Sequence, residues 1–384
     1  MTEAKVKKLR VMFVIGSLRV GGAESQMVLL IQELVKQGVH CEVFAMKAEG
    51  DLLERLGDIS VKVHDGAYVS SSNKLFFIWQ TLRLISQLTL ITLRRKINIL
   101  HAYLPSANLI GGVAGRAARI PKIITSRRAL GTHQDRSSLW KRLDKIANAC
   151  SDIVTVNSMA VWEDVVKRDC LDEAKLRLIY NGLVTKPYIL AKCQRQEARE
   201  RLQLSKDNIA VGMVANLIAY KGHLDVIKAI PSVLDEFPKV IFLFAGEDRG
   251  IRTELECCAE ALGVLGSIRF LGRCDIIPKF LAAMDIGLVA SHEEGFCNAL
   301  LEMMASSLPV VATKVGGNAE ALQHGKLGIL VPPKNSEALI QALTRLVASK
   351  EEREVLGKLA FKEVSDAYSV KAMVSHYTKL YGDL

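Results

Sequence analysis

Short apolar runs rich in β-branched residues alternate with amphipathic segments along the chain, and this alternation limits the fold more than any other feature. In the first half the amphipathic segments are residues 24–36, 75–95 and 106–119. The apolar runs there are VMFVI (11–15), CEVFAM (41–46), INILHA (97–102), KIIT (122–125), DIVTV (152–156) and KLRLIY (175–180). Strands that are apolar along nearly their whole length and alternate with helices are typical of a parallel sheet covered on both faces. We therefore predict a doubly wound α/β domain over residues 1–182.

A second series of the same kind follows a break at Tyr180-Asn181-Gly182 and a charged stretch over residues 186–207. Its apolar runs are IAVGM (209–213), VIFLFA (240–245), SIRFL (267–271), DIGLVA (285–290), PVVAT (309–313) and GILV (328–331). With 384 residues, 49% of them hydrophobic, the chain has enough apolar surface for two cores. We predict a second Rossmann-like α/β domain over residues 183–365, facing the first across a cleft.

The cysteines and the N-terminus give little sign of an exported protein. The eight cysteines form no CxxC motif and no Cys/His cluster, which predicts neither a disulfide framework nor a zinc site and favours a cytoplasmic protein. The first apolar run has only five residues before Gly16, too few for the core of a signal peptide. The longest apolar stretch, residues 75–93, contains Gln80 and Arg83, so it is interpreted as a helix that covers the first sheet rather than a membrane span.

Positive charge is concentrated in the first half of the chain. Residues 1–180 contain 27 Lys/Arg and 17 Asp/Glu, whereas residues 181–384 contain 24 of each. This asymmetry fits either a solvated basic face or an anionic partner, for which we favour a membrane surface over nucleic acid because no nucleic-acid recognition motif is present. The candidate membrane-facing cations are Arg94, Arg95, Lys96, Arg116, Arg119, Lys122, Arg127 and Arg128.

Open α/β sheets bind ligands beyond the carboxyl ends of their strands, so the loops there are where chemistry is expected. After the first strand, Gly21 and Gly22 precede a helix and suit either a phosphate or simple packing. In the second half, Lys221 lies just before a predicted helix. Its side chain is either a counter-ion for a diphosphate or an ordinary solvated lysine.

Two carboxylates, Glu294 and Glu302, mark the densest group of candidate residues, in the segment 291–320. Eight helical residues would separate them by about 12 Å along the axis. A double-displacement glycosidase requires carboxyl groups roughly 5–5.5 Å apart, so we expect different roles for the two.

This E-x7-E element lies within EEGFCNALLEMMASSLPVVATKVGGNAEAL (293–322) and closely resembles the signature of the family-four retaining glycosyltransferases, which have the GT-B fold. The remaining blocks of that family are matched in order by LRVGGAES (18–25), ILHAYLPSA (99–107), IYNG (179–182), KGH (221–223), FAGEDRG (244–250) and FLGRCDIIPKFLAAMDIGLVAS (270–291). The resemblance implies an acceptor-binding first domain, a second domain that binds a nucleotide sugar, and a C-terminal helix in residues 366–384 that packs back on the first.

The resemblance also implies roles for individual residues. Glu302 would hold the ribose hydroxyls, Glu294 the donor sugar, and Lys221 the diphosphate, while His101 would lie near the reacting sugar. The other donor-binding positions implied are Gly21, Gly22, Asn216, Gly295, Phe296, Cys297 and Asn298. Asn216 stands where the family commonly has arginine, and Tyr103 replaces the second histidine of the usual HxH, so a packed, hydrogen-bonded His101 is an equal alternative.

The function implied is transfer of a sugar from a nucleoside-diphosphate sugar, UDP-linked by expectation, to a lipid-linked or glycan acceptor in cell-envelope assembly. The enzyme would lie in the cytoplasm or peripherally on the inner face of the plasma membrane. No cofactor is expected, and no DxD-like acidic pair requires a metal. The alternatives are a nucleotide-sugar 2-epimerase of the same fold and a non-catalytic nucleotide-sugar-binding protein.

Overall fold

The computed structural model describes residues 9–135 and 137–382, which form two α/β units. The first unit contains the chain up to Gly182 and again from Val370, and the second is Leu183–Ser369. Every ladder between the named strands is parallel, and each sheet is flanked by helices, which confirms the predicted doubly wound class.

The first unit is built on a sheet with the strand order β3-β2-β1-β4-β5-β6-β7 in its described residues. The strands are β1 (Arg10–Ile15), β2 (His40–Ala45), β3 (Lys62–Asp65), β4 (Ile99–Tyr103), β5 (Lys122–Arg127), β6 (Ile153–Val156) and β7 (Leu176–Leu178). The helices are α1 (Gly22–Lys36), α2 (Leu52–Gly57), α3 (Lys74–Arg94), α4 (Pro105–Ala117), α5 (Ser138–Cys150) and α6 (Met159–Asp169). Sequence analysis did not predict β3, because this short strand pairs only with β2 and has no apolar run.

The second unit has the strand order β10-β9-β8-β11-β12-β13. Its strands are β8 (Ile209–Val214), β9 (Val240–Ala245), β10 (Ile268–Gly272), β11 (Ile286–Val289), β12 (Val310–Thr313) and β13 (Ile329–Val331). Its helices are α7 (Lys186–Lys192), α8 (Arg195–Arg201), α9 (His223–Glu236), α10 (Arg252–Ala261), α11 (Ile277–Ala282), α12 (Asn298–Ala305), α13 (Asn318–Ala321), α14 (Ser336–Ala348) and α15 (Lys350–Asp366).

The last helix, α16 (Val370–Gly382), is part of the first unit. Its Tyr377 and Tyr381 side chains are buried in the same core cluster as the strand residues Val11 and Phe13. A segment that is distant in sequence therefore completes one face of the first sheet.

Helix α3 covers the first sheet but leaves much of its surface apolar and exposed. Leu84 and Leu88 are fully buried in the core, whereas Leu75 and Leu82 on the same helix are 77% and 59% exposed. Among the described residues, Leu75–Arg94 is also the one segment long and apolar enough to span a membrane, with 20 residues and a mean hydropathy of 1.3. Since α3 packs on the sheet, these values describe an unusually apolar surface helix and are weak evidence for a span.

Several cations that sequence analysis placed on a membrane-facing surface lie inside the first unit. Lys122, Arg127 and Arg128 are at least 92% buried. Arg127 pairs with Asp144 and Asp169, Arg128 bonds Asn181, and Lys122 donates to the Leu380 carbonyl oxygen. Arg95 pairs with the buried carboxylate of Glu42, and Arg116 pairs with Asp152. The charge prediction was therefore wrong for Lys122, Arg127 and Arg128, which hold the fold together. The side chains of Arg95 and Arg116 are 37% and 46% exposed despite their ion pairs, and Arg94, Lys96 and Arg119 are exposed.

Strand order reverses between β1 and β4 in the first sheet and between β8 and β11 in the second. The chain leaves such neighbouring strands toward opposite faces of the sheet, which opens a crevice at their carboxyl ends. The candidate residues of the second unit follow β8 and β11, and Gly21 and Gly22 follow β1.

Candidate active site

Lys221 and Glu294 form an ion pair at the reversal point of the second sheet. Lys221 follows β8, Glu294 follows β11, and the lysine Nζ lies 2.6 Å from the glutamate Oε1. Ser291 also donates a hydrogen bond of 2.7 Å to that oxygen. The side chains are 19% and 11% exposed, so both charges are largely shielded but still reachable from solvent.

Glycines let the loops that carry this pair approach one another. Gly222 has φ +78°, and a Cβ there would stand 2.0 Å from the Ala290 carbonyl oxygen. Gly316 has φ +49°, and its Cβ would stand 1.8 Å from the carbonyl oxygen of Glu294. A side chain at either position would collide with backbone, so both glycines are required by the geometry of the site.

The electrostatic environment keeps Lys221 charged. Burial would lower its pKa, but the adjacent Glu294 carboxylate, together with Cys297 and Tyr220, outweighs burial and raises the pKa of Lys221. Two residues further on, burial and the Lys221 charge lower the pKa of His223 to about 4, and its ring packs edge-on against Phe244 at 5.3 Å. At neutral pH the site therefore has a lysine cation beside a neutral histidine.

Glu302 occupies a different environment from Glu294. It lies on α12 and is partly buried, and it accepts a hydrogen bond from the Tyr188 hydroxyl group on α7. Burial raises the pKa of Glu302 to about 7, and the Tyr188 bond opposes this rise. One carboxylate is thus paired with a cation, while the other has a neutral donor and titrates near physiological pH.

The residues between the two carboxylates are mostly packed. Phe296 is 5% exposed and lies against Tyr368, with ring centroids 5.3 Å apart. Gly295 accepts a backbone hydrogen bond from Gly317. Cys297 precedes the first residue of α12, Asn298, and burial followed by the nearby Glu294 charge raises the pKa of its thiol to about 12. Asn298 keeps some exposed surface, whereas Gly295, Phe296 and Cys297 are buried.

Asn216 shapes the loop after β8. Its side-chain oxygen accepts a hydrogen bond of 3.1 Å from the Glu247 amide, which ties this loop to the one after β9. The side chain is exposed, so it remains accessible to a ligand beside Lys221.

In the first unit, Gly21 and Gly22 lie where the sequence placed them, at the N-terminal end of α1. Gly22 is exposed, and the amides of a helix N-terminus can bind an anion.

His101 lies inside β4 with no exposed surface. Its ring nitrogens are hydrogen-bonded to Tyr381 at 2.6 Å and to Ser126 at 2.8 Å. Burial, followed by the charge of Arg128, lowers the pKa of His101 well below its usual value. A catalytic group needs an open face, so these contacts favour the packed alternative over the predicted catalytic role.

Sequence analysis did not predict two groups of contacts at the site. The Tyr188 bond to Glu302 spans more than a hundred residues, and nothing in the Lys186-Pro187-Tyr188 sequence indicates it. His292 contacts Asp225 through a 2.6 Å side-chain bond, and its amide donates to the Tyr220 carbonyl oxygen. These bonds connect the Glu294 loop to the start of α9. His292 directly precedes the two adjacent glutamates of the motif, and this position was the available clue.

Within residues 9–135 and 137–382, no group of three or more His, Cys, Asp or Glu side chains is arranged to hold a metal ion. The cation found at the candidate site is the ammonium group of Lys221.

Comparison with known proteins identifies the family. A family model for glycosyl transferases group 1 matches residues 194–363, and a model for glycosyltransferase family 4 matches residues 20–186. The D-inositol 3-phosphate glycosyltransferase of Corynebacterium glutamicum is 25% identical, over 94% of this chain and 92% of that protein. The lipopolysaccharide core biosynthesis glycosyltransferase LpsE of Rhizobium meliloti is 24% identical, over 94% and 95% respectively.

A solved structure shares the fold along nearly the whole chain. HepE of Anabaena, crystallised with UDP and glucose, superposes with a TM-score of 0.85 at 21% sequence identity, covering 98% of this chain and all of that one. The two matched family regions together take in most of the residues, including both carboxylates and Lys221. The chain therefore belongs to the family-four retaining glycosyltransferases and has their GT-B fold.

Proposed function

We propose that the protein transfers a hexose from a UDP-linked sugar, with retention of the anomeric configuration, to a lipid-linked or glycan acceptor in cell-envelope polysaccharide or glycolipid assembly. The observation that carries the proposal is the Lys221–Glu294 pair at the reversal point of the second sheet. It offers one fixed cation and one fixed carboxylate where open α/β sheets bind their ligands.

A UDP-sugar fits the groups around this pair. Lys221 meets the diphosphate, and its ammonium group has three donors, so it can contact a phosphate oxygen while still paired with Glu294. Glu302 accepts hydrogen bonds from the ribose hydroxyls, and Glu294 with Gly295 contacts the sugar. The choice of UDP and of a hexose is supported by HepE, whose crystal structures include complexes with UDP, with UDP and glucose, and with UDP-glucose.

The chemical step depends on stabilising the leaving group. The acceptor hydroxyl oxygen forms a bond to the anomeric carbon while the bond from that carbon to the β-phosphate oxygen breaks, and the hydroxyl proton passes to the departing diphosphate. Lys221 faces the negative charge that develops on the diphosphate, and its partner Glu294 lies shortly before the N-terminal end of α12, whose amides can also face that charge. Attack on the face from which the diphosphate leaves retains the configuration. No metal is needed in this scheme.

The first unit is proposed to bind the acceptor. LpsE acts in lipopolysaccharide core biosynthesis by its name, which supports an envelope glycan or glycolipid as the class of acceptor.

We also propose peripheral attachment of the first unit to the inner face of the plasma membrane. The exposed apolar side chains of α3 include Leu75, Ile78, Trp79 and Leu82. On α5, Lys141, Arg142 and Lys145 are exposed. Phe77 of α3 and Trp140 of α5 line one cavity, so the two helices share a region of the first unit. A region that exposes both apolar side chains and cations is suited to bind an anionic bilayer.

The test has two stages. Thermal unfolding with UDP-, GDP-, ADP- and dTDP-sugars identifies the donor, since a ligand at 100 times its dissociation constant stabilises by about 2.7 kcal/mol. The selected donor is then incubated with lipid-phosphate and oligosaccharide acceptors in EDTA, and the product is analysed by proton NMR.

We expect the donor configuration in the product and full activity in EDTA. An inverted product, or activity that EDTA abolishes and Mn²⁺ restores, would contradict the proposed mechanism. Conversion of the donor to its 2-epimer would select the epimerase instead, and donor binding without turnover would select a binding protein.

A further inference from the structure

A cavity of about 540 Å³ lies entirely within the first unit, at the carboxyl ends of β1 to β4. Gly16 and Ser17 line it after β1, Met46 after β2, Tyr68 after β3 and Ser106 after β4. Its volume is within the range of small-molecule sites, and it flanks the reversal point between β1 and β4. The position is therefore that of a ligand site.

The wall formed by the helices is mainly apolar, with the hydroxyl groups of Thr81 and Ser106 as its polar members. Phe77 comes from α3, Leu109 from α4, and Trp140 and Leu143 from α5, and each of these side chains retains some exposed surface. In a folded protein, apolar side chains that line an open cavity of this size are available to an apolar ligand.

Basic groups lie on the strand side of the same cavity. Arg19 and Lys47 both line it, and both pair with Glu49, at 2.8 and 2.5 Å. Two cations against one carboxylate leave a net positive charge on this side. The cavity is thus amphipathic, with a cationic side near the Gly21–Gly22 loop and an apolar side between α3 and α5.

The apolar side continues onto the exposed surface of the same helices. Leu139, Leu143 and Ile146 follow one another at helical spacing on α5; Leu143 lines the cavity, while Leu139 and Ile146 are 55% and 46% exposed. On α3, Phe77 lines the cavity and the neighbouring Ile78 is 54% exposed. Along α5 the apolar lining of the cavity therefore continues onto apolar side chains at the surface.

We propose that this cavity, the acceptor-chain pocket, binds the hydrocarbon chain of an anionic, phosphate-linked lipid, with the phosphate toward Arg19 and Lys47. The inference rests on the proposed function, because it makes that lipid the acceptor. An oligosaccharide is a poorer occupant. Sugar hydroxyls need hydrogen-bond partners when they are buried, and the helix side of the cavity offers mainly hydrocarbon and aromatic surface.

The experiment measures binding without turnover, so its outcome does not depend on transfer. Hexyl, octyl and decyl phosphate are titrated calorimetrically into the full-length protein below their micelle concentrations. Each methylene that enters an apolar pocket increases affinity by up to about fourfold, so we expect affinity to rise steeply along the series. Alkyl glucosides of the same chain lengths, which lack the anionic group, should bind more weakly.

Two variants locate the binding. Thr81→Trp places an indole ring in the pocket from α3, and Trp140→Ala removes part of its apolar wall. Both should bind decyl phosphate at least about tenfold more weakly, since each changes the apolar area that the chain covers. The matched control is Leu93→Trp, which adds the same ring to a 53% exposed position of α3 outside the pocket lining and should bind like wild type.

Thermal unfolding and UDP-sugar binding establish that each variant is folded. A flat affinity across the series, equal binding by wild type and both folded pocket variants, or displacement of decyl phosphate by a soluble oligosaccharide would overturn the inference. If transfer to a lipid acceptor is observed while the alkyl phosphates show no chain-length dependence, the pocket assignment fails and the proposed function stands. If chain-length dependence is observed with no transfer from any donor, the proposed function fails alone.

Discussion

The two units have the same parallel, doubly wound architecture, yet the side chains at the carboxyl ends of their sheets differ in chemistry. In the second unit the loops after β8 and β11 bring Lys221 and Glu294 within 2.6 Å of each other. In the first unit the loops after β1 to β4 line a cavity of about 540 Å³ whose helix side is mainly apolar. This difference indicates that the fold determines where a ligand binds, while a few loop and helix residues determine which class of ligand binds there.

The units also differ in how they use charge. From the sequence, the excess of basic residues in the first half is expected at the surface, but Arg127 and Lys122 are buried and make contacts inside the first unit. Glu42, a fully buried carboxylate, is held by Arg95, His40 and His64, and these bonds lower its pKa to about 2 despite burial. Fewer cations are therefore exposed on the first unit than its net charge suggests. Lys141, Arg142 and Lys145 are among the exposed ones.

The largest expected effect comes from removing the cation of the second unit. Lys221→Ala should lower kcat by about a hundred- to a thousandfold, because a preorganised group facing the developing diphosphate charge is lost. Steady-state kinetics with UDP-glucose measure the effect. The control is Lys239→Ala, whose ammonium group pairs with Asp207 at the surface of the same unit and should leave kcat unchanged. Wild-type kcat in folded Lys221→Ala would remove Lys221 from the mechanism.

The first unit provides the next prediction, on membrane binding. Replacing Lys141, Arg142 and Lys145 by alanine should weaken adsorption to phosphatidylserine vesicles by roughly a hundredfold, since each cation near an anionic surface contributes about 1 kcal/mol. Co-sedimentation measures adsorption, which should weaken for wild type as added salt screens the surface. A matched triple variant in the second unit, at exposed Lys206, Lys326 and Lys358, should sediment like wild type. Equal losses for both variants would mean that the first unit has no special membrane role.

A smaller effect concerns Glu302 and pH. Because its pKa is about 7 in the unliganded protein, raised by burial, the carboxylate that accepts from the ribose is the minor form below pH 7 and the major form above it. UDP-glucose affinity should therefore rise about tenfold from about pH 6 to about pH 8. UDP-glucose is the suitable ligand, because its diphosphate is esterified at both ends and does not titrate in this range.

Glu302→Gln cannot ionise, so its UDP-glucose affinity should be lower than that of wild type at high pH and nearly independent of pH. Tyr188→Phe removes the hydrogen bond that opposes the rise in the pKa of Glu302, so it should move the wild-type profile to higher pH. A wild-type affinity that is constant with pH, or a Gln variant with the wild-type profile, would exclude Glu302 from the ribose contact.

Sequence reasoning was most successful where a pattern is local and repeated. The apolar runs located every strand of the second sheet, and the E-x7-E block led to the family. Sequence reasoning missed β3, because this strand pairs with β2 alone among the described strands and has no apolar run. It also missed the exposed face of α3, because periodicity shows which residues can be buried but not how much of a helix the sheet covers. The Tyr188–Glu302 bond and the helix-lined cavity depend on contacts between distant segments, which composition and spacing do not encode.

The most direct test of the division between the units is calorimetric titration of UDP-glucose into the wild-type protein, Glu302→Ala and Thr81→Trp at about pH 8. Glu302→Ala removes the proposed ribose contact in the second unit, and charge-assisted hydrogen bonds contribute about 1.5–3 kcal/mol, so affinity should fall by about ten- to a hundredfold. Thr81→Trp blocks the first-unit pocket and should leave UDP-glucose affinity unchanged. Unchanged affinity in folded Glu302→Ala, or an equal loss in Thr81→Trp, would contradict a donor site built by the second unit.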